Sequence, residues 1–131
     1  MRWWFTASAL LLPMILTGCG SEQDEAVRGK ATAFQEAVAA QDWARACALL
    51  APETRSELES AAKKPCDGAL AEEGLPTPGA PDGVDVFGTM AEVRYRGETV
   101  FLTRFADGWR LYAAGCMPQH PEPYDCALHG G

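Results

Sequence analysis

Histidine is almost missing from this 131-residue chain: there are two, His120 and His129, both in the Pro- and Gly-bearing C-terminal stretch. Acid–base catalysis at neutral pH and zinc binding both draw first on histidine, and a Pro-rich tail is a poor place to preorganise either. No Cys-x-x-Cys occurs, which argues against a thioredoxin-like redox site or a zinc ribbon. No serine stands in a Gly-x-Ser-x-Gly context and no Gly-rich phosphate loop is present, so neither hydrolase chemistry nor nucleotide binding is suggested. Lysine is scarce, at three residues, and the formal charge is −7. A domain this acidic is repelled by phosphate backbones, which excludes nucleic acid as an expected partner. These absences leave no metal and no cofactor to expect, and no catalytic constellation.

What is present begins with a leader. Arg2 is a short basic segment, residues 3–16 are an apolar run, and Thr17 and Gly18 are small. That is the layout of a secretory signal peptide, and the run is shorter than the roughly 20 residues a membrane-spanning helix needs. Leu16-Thr17-Gly18-Cys19 resembles the bacterial lipobox, a leucine and two small residues before a cysteine. The resemblance implies that residues 1–18 are removed and that the Cys19 thiol carries a diacylglyceryl thioether, with palmitate-type acyl chains. Residues 19–24 then form a lipidated cysteine and a short polar tether. Membrane lipid is the expected partner, and the outer face of the cell membrane the expected location. Removing residues 1–18 takes away Arg2 and no acid, leaving ten basic against 18 acidic residues, a formal charge of −8. Eight arginines to three lysines, with 22 alanines, is the bias of a GC-rich genome.

Residues 25–131 read as one domain. Val27, Ala31, Phe34 and Val38 recur at helical spacing, which predicts a helix over about 25–40. Asp42 caps a second helix striped by Trp43, Ala46, Cys47 and Leu50. Pro52 opens a third, with Thr54 and Glu57 favoured near its N-terminus; Pro65 stops it, and Cys66 to Glu73 allow a further turn or two. Residues 75–83, with three prolines and two glycines, are a linker. The period then changes to two. Val84-Asp85-Val86 is a short strand, Ala91, Val93 and Tyr95 alternate with Glu92, Arg94 and Arg96, and Gly97-Glu98 reads as a turn. Residues 99–105 suit a central strand, and Asp107-Gly108 signals a hairpin into a last strand from Trp109. The tail from Gly115 reads as an irregular cap.

Cys47, Cys66, Cys116 and Cys126 make an even set in a small exported domain, which reads as a disulfide framework. Three pairings are open. The short loops favour Cys47–Cys66, tying the second helix to the segment after Pro65, and Cys116–Cys126, folding the tail onto the last strand. Crossed pairs require the tail to pack on the helices.

Helices followed by a meander give an α+β fold, N-terminal helices packed on a bent antiparallel β-meander. With Asp42-Trp43 opening the second helix and Asp107-Gly108-Trp109-Arg110-Leu111 entering the last strand, the chain resembles the NTF2-like cone fold. The Cys47…Cys66 and Gly115-Cys116…Cys126 pattern resembles small actinobacterial-type lipoproteins of unknown function. The cone fold hosts isomerases, dehydratases, binding modules and assembly domains, so it transfers no activity. It does imply where a pocket would lie: Phe34, Trp43, Tyr95, Phe101, Arg104, Trp109 and Tyr112 are the candidate lining. The same aromatics serve equally as core. The strand acids Asp85 and Glu92 are the only candidates for a base, and an inward Glu92 beside Arg104 would expose Ala91, Val93 and Tyr95. The expected function is therefore non-enzymatic, a binding or interaction module for an envelope protein or a small apolar ligand. The alternatives are an isomerase- or dehydratase-type enzyme, or a ligand carrier, using the cone.

Overall fold

The alanine-rich N-terminal segment forms α1 (Cys19–Ala39). Val27, Ala31, Phe34 and Val38 lie on its buried face, together with Ala37. The structure, a computed structural model, describes residues 19–119, 121 and 123–131; the leader expected over residues 1–18 lies outside them. The helix begins earlier than the sequence suggests. The stretch read as a polar tether is its first turn, and the Trp109 indole N–H donates to Gln23 Oε1 at 3.0 Å, holding that turn against the sheet.

Gln41, in the left-handed region at φ 55°, turns the chain, and Asp42 N–H bonds back to the Ala37 carbonyl at 2.9 Å. Asp42 then caps α2 (Trp43–Ala48), its carboxylate accepting from Arg45 N–H at 3.3 Å. Pro52 starts α3 (Pro52–Ala62) as its fixed φ favours. Thr54 lies in the first turn of α3, as expected. It is buried, and its hydroxyl donates to the Tyr112 carbonyl at 2.7 Å, fastening α3 to the sheet. Lys63 ends α3 in the left-handed region, and α4 (Cys66–Glu72) follows Pro65. The Cys47–Cys66 disulfide joins α2 to the start of α4.

Residues 73–82 carry no helix or strand. Five strands follow: β1 (Gly83–Phe87), β2 (Met90–Tyr95), β3 (Glu98–Phe105), β4 (Gly108–Pro118) and β5 (Tyr124–His129). They form one antiparallel sheet in the order β1-β2-β3-β4-β5. Two expectations are corrected here. The tail is not an irregular cap but β5, paired with an extended β4 and closed by the Cys116–Cys126 disulfide between facing residues. Glu98 is not a turn residue but the first residue of β3, because Arg96 and Gly97, the latter at φ 83°, make the turn alone.

The helices cover one face of this sheet. Ala91, Val93, Val100, Leu102 and Leu111 meet Phe34, Leu50, Leu58 and Leu70 in the core. Register shifts around Phe101 mark bulges between β3 and β4, the usual device for bending a sheet. Residues 49–51 run along β4 where β5 does not reach, exchanging backbone bonds with Leu111 at 2.7 and 2.9 Å, so that edge is not left open. Among the described residues, no helix is long and apolar enough to cross a membrane.

Candidate functional site

The seven candidate lining residues do not share a cavity. Phe34, Tyr95 and Trp109 are buried in the core, and Trp43 packs against it, half-buried. Phe101 lies between the core residues Val100 and Leu102 and points to the other face, where its ring meets Tyr124 edge-on at 5.0 Å. Tyr112 is half-buried, its hydroxyl donating to the Gly130 carbonyl. Arg104 is exposed, its guanidinium 5.8 Å above the Trp109 ring. Four of the seven thus belong to the core or its margin, Arg104 is exposed, and Phe101 and Tyr112 sit elsewhere.

The strand acids are held by an arginine. Asp85 and Glu92 face each other across β1 and β2, and both accept from the Arg94 guanidinium, Glu92 at 3.3 Å. Glu92 does not lie beside Arg104, because Ala91, Val93 and Tyr95 hold the core face of β2. His129 is exposed on β5, and His120 lies outside the described residues. Among the described residues, no cluster of three or more His, Cys, Asp or Glu could hold a metal ion.

The group that sequence reasoning missed is Glu98. Only 4 % of it is exposed, yet it is a carboxylate. One oxygen accepts from the Gly115 N–H at 2.9 Å and the other from the Gln35 amide at 3.3 Å. Burial pushes its pKa above the ordinary carboxylate value, and the two hydrogen bonds oppose that rise only in part. Tyr95 stands opposite in the β2–β3 register. Burial, and secondarily the Glu98 charge, push its hydroxyl up to about 12. The signal for Glu98 was available: it shares strand parity with Val100 and Leu102, which places it on the core face.

Two polar atoms in this region lack hydrogen-bond partners, Gln35 Oε1 and the Tyr95 hydroxyl. Gln35 also lines a groove of about 470 Å³ between α1 and the Pro-rich segment, whose walls include Thr32, Glu36, Ala39, Thr77 and Pro81. The groove is within the size range of small-molecule sites. Its lining is largely apolar, with the Glu36 carboxylate among its walls. It holds no nucleophile–base pair.

No protein-family model, curated protein or solved structure matches the chain.

Proposed function

We propose that this chain is an extracytoplasmic lipoprotein, held on the outer face of the cell membrane by a diacylglyceryl group on Cys19. Its NTF2-like domain acts as a non-enzymatic binding or interaction module. One observation carries the reading: the two disulfides use Cys47, Cys66, Cys116 and Cys126, leaving Cys19 as the remaining cysteine, directly after Leu16-Thr17-Gly18. Disulfides in so small a domain favour an oxidising compartment, and a lipobox cysteine is the residue that must stay out of them. Two acyl chains suffice for stable anchoring. The non-enzymatic part is supported by the placement of the acids. Asp85 and Glu92 are paired with Arg94, and Glu98 is saturated by internal donors rather than presented to a substrate.

The test is Cys19→Ala in the full chain. The variant is expected to leave the membrane fraction or to persist as uncleaved precursor, while the parent gives an intact mass of an acylated chain starting at Cys19. An unacylated parent starting elsewhere would overturn the reading.

A small-ligand carrier is the second reading, favoured by the apolar groove between α1 and the Pro-rich segment rather than by the sheet face. The ligand would be small and largely apolar. N-phenylnaphthylamine has that chemistry, and its fluorescence should rise with the parent and not with Ala39→Trp, which fills the groove. Equal enhancement by both proteins rejects it.

A further inference from the structure

The direction of α1 across the sheet decides which end of the domain lies nearest Cys19. Near its start, Gln23 accepts from Trp109; farther on, Gln35 donates to Glu98. Twelve residues of helix rise about 18 Å. Glu98 and Arg104, the register partner of Trp109, lie about 20 Å apart along β3. The helix therefore runs along β3 from the Trp109 end to the Glu98 end. Cys19 is one turn, about 6 Å, upstream of Gln23.

The Trp109 end holds two hairpin tips. Phe87 pairs with Met90, Met90 with Thr103, Thr103 with Arg110 and Phe105 with Gly108, so both turns lie at this end, the β3–β4 turn about 7 Å farther along β3 than the β1–β2 turn. The first of them, Phe87-Gly88-Thr89-Met90, contains no charged residue. Phe87 is 61 % exposed and Met90 36 %. The Thr89 carbonyl accepts from Arg104 N–H at 2.8 Å, so this tip is braced on β3 rather than trailing. Phe87 and Met90 pair with each other on the face of the sheet opposite the core-facing Val86 and Ala91, where they form a small exposed apolar patch.

We propose that the β1–β2 tip is a second membrane contact, Phe87 and Met90 entering the lipid surface from the open face of the sheet, at the same end of the domain as the acylated Cys19. The inference rests on the reading of Cys19 as the lipid anchor. Because α1 starts at Cys19, no slack tether separates the anchor from this end of the domain. The acyl chains bring the tip to the bilayer, and the tip in turn sets the domain upright, with the Glu98 end pointing away. Arg104, over Trp109 at the same level, suits the phosphate layer of the headgroups.

A matched control exists on the same sheet. Met117 is 59 % exposed but lies at the opposite end of β4, about 30 Å of strand from Gly108. The experiment compares Phe87→Trp and Met117→Trp in the full acylated protein, reconstituted in phosphatidylcholine vesicles with and without brominated acyl chains. The parent's emission is subtracted and the intact mass is recorded for each protein. Phe87→Trp is expected to add blue-shifted emission of which about half is lost to bromine, as for a side chain 5–10 Å into the interface. Met117→Trp should add red-shifted emission that bromine leaves alone. Acylated protein with an unquenched Trp at position 87 overturns the contact and makes a partner protein the occupant of the tip. Equal quenching at both positions overturns the upright orientation. An unacylated mass overturns the anchor, and the contact with it.

Discussion

Glu98 holds its carboxylate where water does not reach, and the consequences are testable by pH. Its folded-state pKa is raised by burial, so the folded protein binds that proton more tightly than the unfolded chain does. The stability this group contributes is present in full below the unfolded carboxylate pKa and is lost as pH rises through the folded one. Glu98→Gln removes the charge and can offer its amide N–H to Gln35 Oε1, which has no partner now. At neutral pH this variant should match or exceed the parent, within about 1 kcal/mol. The difference should move toward the parent on lowering the pH to about 4, below the ordinary carboxylate value, where the raised Glu98 group is already protonated in the folded protein. Glu98→Ala instead strands the Gly115 N–H and the Gln35 amide and should lose about 1–3 kcal/mol. Urea denaturation at both pH values measures this, and an equal loss in the two variants at neutral pH would mean that the charge itself is needed.

Among the elements, the two disulfides fasten parts of different character. Cys47–Cys66 spans 19 positions and ties α2 to α4, both packed through Ala46, Ala69 and Leu70 into the core. Cys116–Cys126 spans ten and clips β5, the edge strand, to β4. Each restricts the unfolded chain by about 3 kcal/mol. The loops predict similar global effects, but the native neighbours do not. Replacing Cys116 and Cys126 by alanine should raise hydrogen exchange mainly over residues 116–129. Replacing Cys47 and Cys66 should raise it across the helices and β3 and lower Tm by about 10 °C or more. Uniform exchange in both double variants would show that β5 folds as one unit with the core. Gly115 adds to the rigidity of this corner: at φ 65°, a Cβ there would come within 2.9 Å of the Ala127 Cβ.

At the scale of the molecule, charge and polarity act together. A formal −8 beyond residue 18 gives no electrostatic pull toward an anionic surface, so the proposed membrane attachment would have to come from acyl chains and apolar contact. This is why Cys19→Ala is expected to leave the membrane fraction unless it persists as uncleaved precursor. It is also why the uncharged Phe87–Met90 tip, and not a basic patch, is the surface suited to lie against lipid.

Composition, period and spacing determined a good deal. The helical stripe of α1, the Asp42 cap, the Pro52 start, the switch to period two after the Pro-rich segment and the hairpin at Asp107-Gly108 are all local effects. Each depends on neighbours within a few residues, so each is written in the chain. Export and acylation are likewise read from a short linear motif, and stand as proposals on that basis. Tertiary structure decided the rest, because it depends on residues far apart in sequence. Residues 124–129 have weak strand character of their own and became β5 through pairing with β4 and the disulfide. Residues 20–24 became helix with Gln23 held by Trp109. Phe101 left the imagined pocket through strand parity at a bulged register, and Glu98 entered the core by the same parity. The end of the domain beside Cys19 could be named only once α1 had a direction on the sheet, since no local pattern encodes where a helix begins relative to a hairpin 60 residues away.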